Sequence, residues 1–114
     1  MLVINGHYHT DYLRLLNNVL YLDLNSCSYD WIEQEHHFYP EEMEQKYKNI
    51  KHTLNVNEAI HAVITLSDDG EIKIDGMNGT YFMGIDREKA GVTPYDECGR
   101  RITPNVSSAH IKLL

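Results

Sequence analysis

One stretch constrains the fold of this chain more than any other: Ala59-Ile60-His61-Ala62-Val63-Ile64-Thr65-Leu66, then Ser67-Asp68-Asp69-Gly70, then Glu71-Ile72-Lys73-Ile74-Asp75-Gly76. Its apolar residues recur with the period of two that sends successive side chains to opposite faces of a strand. The polar turn between the two runs closes on a glycine, which takes left-handed backbone without steric cost. The pattern predicts a β-hairpin whose Ile60, Ala62, Ile64, Ile72 and Ile74 share one sheet face. Asp68, Asp69 and Gly70 resemble a calcium loop only superficially. The alternating ligands and terminal Glu of that loop are missing, so turn chemistry accounts for them.

A second hairpin is predicted over Tyr12–Leu16 and Val19–Leu24, with Asn17-Asn18 as its turn, because Asn tolerates the left-handed conformations that two-residue turns require. A short helix capped by Asp11 is the competing reading of residues 12–16. The clearest helix runs from Pro40 to Ile50. Proline suits its first turn, the early glutamates complement the dipole, and Met43, Tyr47 and Ile50 fall on one face. Asn25 to Trp31 reads as a polar loop, with Trp31 expected in the core. Tyr81-Phe82-Met83 suggests a short strand, and residues 86–108 show no period. The chain is therefore expected to be a single, partial α+β domain over 1–114, rich in β-hairpins. Residues 1–79 would form a sheet-bearing body and 80–114 an extended tail.

Composition excludes some classes of function. The 114 residues are 42% hydrophobic and carry a formal charge of −7. That hydrophobic share is ordinary for a globular domain. The acidic balance argues against nucleic acid as a partner, since phosphate backbones demand a basic footprint. No apolar run approaches the roughly 18 residues of a membrane span. Cys27 and Cys98 have no zinc-binding or redox spacing, and read as two free thiols of a reducing compartment. No leader segment is recognisable, so a cytoplasmic location is expected.

Chemistry concentrates at the start. The apolar run Leu2-Val3-Ile4 reads as a parallel-type strand, and it feeds Asn5-Gly6-His7-Tyr8-His9. Residues two apart in an extended segment point the same way, so His7 and His9 are expected to converge as metal ligands, with Gly6 permitting the turn. Adjacent His36 and His37 make a poor chelate and read as surface or boundary residues. His52, His61 and His110 are isolated. In the loop beside the histidines, Asn25 and Tyr29 are candidates for hydrogen bonds to a substrate, although Asn and Ser also bond their own backbone in ordinary turns. Tyr95 to Arg101 reads as a turn with surface ion pairs.

Gly6-His7-Tyr8-His9, followed by Asp11-Tyr12, Asn18-Val19, Tyr21 and Asn25-Ser26-Cys27-Ser28-Tyr29-Asp30-Trp31, resembles the final part of the calcineurin-like metallophosphoesterase family. The metal-binding set of that family ends in Gly-His-x-His. The resemblance implies a four-layer α/β/β/α sandwich, a pair of divalent ions (Mn, Fe or Zn) with His7 on one and His9 on the other, and a phosphate-ester substrate. The family's earlier Asp-x-His, Gly-Asp and Gly-Asn-His-Asp/Glu motifs are absent from these residues. The expectation is therefore a carboxyl-terminal segment of a phosphoesterase, inactive alone. Two other readings stand beside it. One is a non-catalytic β-rich interaction domain. The other is a small metal-binding module completed by homo-oligomerisation, for which an exposed apolar face would serve.

Overall fold

Asn17 and Asn18 both adopt left-handed backbone, with φ of 49° and 58°, and this two-residue turn pins the first hairpin in register. The computed structural model describes all residues 1–114. Along the chain it places β1 (Leu2–Asn5), β2 (Tyr12–Leu16), β3 (Val19–Asp23), β4 (Tyr29–Trp31), α1 (Glu41–Lys46), β5 (Thr53–Asn55), β6 (Val63–Leu66), β7 (Glu71–Asp75), β8 (Met77–Asn78), β9 (Asn105–Val106) and β10 (Ala109–Lys112). Tight helical turns cover Ile50–His52 and Phe82–Gly84. The architecture is mixed α+β: strand-rich, built of small sheets, with one short helix.

Two three-stranded sheets form the first lobe, in the orders β1-β3-β2 and β10-β7-β6. β1 runs parallel to β3, Leu2 opposite Leu20 and Ile4 opposite Leu22. β2 returns antiparallel, Leu13 opposite Leu22. The alternation of β3 sends Leu20 and Leu22 inward, where they bury against Ile72 and Ile74 of β7. Each such side chain contributes roughly 1.5–3 kcal/mol on leaving water. In the second hairpin Gly70 takes φ +86°, and an added Cβ there would sit 3.0 Å from the Leu113 carbonyl oxygen. Ala62, Ile64, Ile72 and Ile74 share the inner face as the alternation predicts. Ile60 differs: it is buried in the loop before β6, because the strand begins only at Val63.

The second lobe gathers Ile32, Tyr39, Leu54, Ile85 and Ala90. Here β4 pairs with β5, Asp30 opposite Leu54, within a segment whose polar composition predicts a loop. Helix α1 is shorter than its apolar spacing suggests. Its carboxyl cap, Tyr47, turns extended at φ −120° and ψ 105°, and Ile50 packs on the core from the turn that follows. Phe82–Gly84 is a tight turn with Met83 at φ 57°, not a strand. His36 is 3% exposed rather than at the surface, its Nε2 lying 2.8 Å from the Thr53 carbonyl oxygen. Beyond the irregular 86–104 stretch the chain re-enters the body, with β9 on β8 and β10 as the third strand beside β7.

The molecule is elongated, 53 × 25 × 20 Å, with a radius of gyration of 16.2 Å against about 13 Å for a compact domain of this length. Strand β1 has a neighbour on one edge only, and its Ile4 stays about half exposed, as do Leu15 and Leu16 of β2 at the opposite edge of the sheet. No helix is long and apolar enough to cross a membrane.

Candidate functional site

The parallel strand β1 ends at Asn5, and the chain turns through His7 and Tyr8 into His9. Gly6 is not what shapes this turn. A Cβ there meets nothing within 4 Å, and the left-handed residue is His9, at φ 54°. Histidine adopts that conformation more readily than most residues. His7 and His9 are thus related by a turn and not by extended pleating. Both line one pocket of about 420 Å³, with Tyr29, Asp30, Trp31 and Arg87 on its other sides. The His9 ring meets Tyr29 edge-on at 5.2 Å, and the His7 ring meets Tyr8 edge-on at 5.4 Å.

The remaining histidines are engaged elsewhere. His52 Nδ1 lies 3.2 Å from the Ile32 carbonyl and His61 Nδ1 lies 2.8 Å from that of Ala59. His37 Nδ1 pairs with Glu44 at 2.9 Å, and His110 lies 3.7 Å from Glu71. Of the two candidate substrate-binding residues, Tyr29 lies with the histidines and Asn25 does not. The Asn25 amide donates to the carbonyls of Thr103 (2.7 Å) and Asn105 (3.1 Å). Its Oδ1 accepts from the Ser26 amide at 2.9 Å. Asn25 therefore ties the returning chain to the body.

The donor set can be tested against a metal. His7 and His9 offer two nitrogens, whereas a catalytic zinc takes three protein ligands. Asp30, the carboxylate on the same pocket, is held by Arg87, Nε to Oδ2 at 2.6 Å and Nη2 to Oδ1 at 3.1 Å. No group of three or more His, Cys, Asp or Glu side chains is placed to hold an ion. These two histidines do not make a complete metal site by themselves.

A larger cleft of about 830 Å³ lies next to this pocket and shares Tyr8, Trp31 and Arg87 with it. Trp31 is a wall of both, 44% exposed and not a core residue as expected. A three-residue edge strand cannot cover an indole on both faces, and one side stacks on His52 at 5.1 Å. Across the cleft, the turn around Asp96 and Arg100 is closed by an ion pair at 2.7 Å. Burial works to raise the Asp96 carboxyl, yet hydrogen bonds from the Arg100 and Cys98 amides and the Arg100 guanidinium outweigh it and hold the group below its ordinary value. Arg101 pairs with Glu88 at 3.0 Å, so this segment is the ion-paired turn that its sequence predicts. Cys27 and Cys98 are free, exposed thiols. Spacing gave no signal for Arg87 or for the cleft it walls, since that arginine meets Asp30 from 57 residues away.

The chain matches no family model, no curated protein and no solved structure.

Proposed function

We propose that the chain is the carboxyl-terminal segment of a metal-dependent phosphoesterase of the calcineurin-like type, to which it contributes His7 and His9 as metal ligands. The observation that carries this is the placement of both imidazoles on one pocket at the end of a parallel strand, the end of a sheet where α/β enzymes gather their reactive groups. Three further features agree with it. The donor set stops at two nitrogens, β1 has an open edge that a further strand would cover, and Ile4 on that strand is half exposed. In the complete enzyme these sheets would form part of the four-layer sandwich.

Paired divalent ions bound there would supply a nucleophilic hydroxide at neutral pH and stabilise the developing charge on the phosphoryl oxygens. His7 and His9 would hold their share of that pair, and Tyr29 meets the His9 ring edge-on at 5.2 Å. The reading frame around the gene tests the proposal. In-frame codons for Asp-x-His and Gly-Asn-His-Asp/Glu before Met1 are expected. A continuous upstream frame without either motif would overturn it.

A further inference from the structure

We propose that the cleft beside the His7–His9 pocket binds an organic ammonium group, so that the ester served by this site is a phosphate ester of an amino alcohol. The phosphate half of that statement rests on the phosphoesterase reading; the ammonium half rests on the cleft alone.

The charges of the cleft come from Arg87 and Arg100 against Asp23, Glu33, Asp96 and Glu97. Both arginines are already neutralised, Arg87 by Asp30 and Arg100 by Asp96. Asp23, Glu33 and Glu97 have no cation of this chain as an ion-pair partner. A free phosphate or a carboxylate entering here would meet unpaired negative charge, whereas a cation would find its complement.

The aromatic walls select the same kind of guest. Tyr8, Trp31 and Tyr95 line the cleft and are 83%, 44% and 49% exposed. Exposed aromatic rings attract cations through their negative faces, and quaternary ammonium groups are recognised in this way. Rings here already take cations from the chain itself: Arg100 lies 3.9 Å from the centroid of neighbouring Tyr12, and Arg101 lies 5.9 Å from that of Tyr95, which leaves Tyr8 and Trp31 as the rings without a cation of the chain. The cleft lies next to the His7–His9 pocket, and Tyr8, Trp31 and Arg87 line both. An ester whose phosphate sits at the imidazoles would therefore place its alcohol half between the rings and the carboxylates.

Trp31 is the only tryptophan of the chain, so its fluorescence reports directly on the cleft. The purified chain, with chelator present and ionic strength held constant, is titrated with choline, with the neutral carbon isostere dimethylbutanol, and with inorganic phosphate. Choline is expected to shift the emission saturably. The isostere should bind about tenfold more weakly or worse, and phosphate should not compete. The doubly substituted Glu33→Gln, Glu97→Gln chain alters only exposed side chains and should bind choline about fivefold more weakly. Equal affinity for choline and its isostere, an unchanged affinity in the double variant, or no saturable response to choline would each overturn the proposal. Because no metal takes part, such a failure is distinct from a failure of His7 and His9 to bind metal.

Discussion

Arg87 clasps Asp30 at two points, 2.6 and 3.1 Å apart in heavy atoms, and joins strand β4 to the irregular segment that returns toward the body. Both side chains are largely withdrawn from water, at 16% and 11% exposure. Arg87 also lines both the histidine pocket and the larger cleft, while Asp30 lines the histidine pocket alone. Removing one partner of a buried pair strands the other charge and costs about 3 kcal/mol. Arg87→Ala and Asp30→Ala should each lower stability by about that much in urea unfolding, and the double variant should lose clearly less than the sum. Additive losses would mean that the pair is not coupled.

Glycine at position 76 is required by close backbone approach, and glycine at position 6 is not. A Cβ on Gly76 would fall 1.9 Å from the Val106 carbonyl oxygen, so β8 and β9 would have to part. Gly76→Ala should cost about 2 kcal/mol or more. Gly6→Ala, with open space around it, should stay within about 0.5 kcal/mol. Thermal unfolding of the two variants side by side checks both statements.

Alkali should unfold the second lobe through its tyrosines. Burial, aided by the negative charge of Asp30, pushes the Tyr81 phenol up to about 12, and burial also pushes Tyr39 upward. An unfolded tyrosine ionises near pH ~10. Between that pH and about 12 the unfolded chain loses protons that the folded chain keeps, so stability falls as pH rises through this window. It is fully present below it. Discounted for the partial exposure of the ring, the Tyr81 share is on the order of 1–2 kcal/mol. Urea midpoints measured on either side of the window should drop for the native chain and drop less for Tyr81→Phe.

The parts of the fold that local pattern dictates were legible in the sequence. Leu20 and Leu22 alternate inward on β3, Asn17-Asn18 makes the turn, and Ile72 and Ile74 face them from β7. Other elements answer to tertiary neighbours. Strand β4 forms because Thr53–Asn55 offers it a ladder, and three residues, Tyr29-Asp30-Trp31, are too few for their alternation to predict a strand. His36 is buried because its ring meets the Thr53 carbonyl and the edge of Tyr39. β10 exists because β7 has a free edge to pair with Ala109–Lys112. At the site, the sequence reads His7 and His9 as extended-strand neighbours, whereas a turn separates them and both line one pocket. The left-handed backbone of His9 does what spacing assigned to Gly6. Trp31 was misplaced because a large aromatic residue is usually buried, and here a short edge strand leaves it at the mouth of a cleft.

The central claim is that His7 and His9 are built to hold metal, and it can be tested residue by residue. Manganese(II) is added in substoichiometric amounts to isotope-labelled chain, and paramagnetic broadening is followed at each of the seven histidine side chains. The account predicts that the His7 and His9 imidazole signals are lost first, while His36, His52, His61 and His110 stay sharp. Broadening centred on His37, where Glu44 lies 2.9 Å and Glu35 3.9 Å from the ring, with His7 and His9 unaffected, would contradict it.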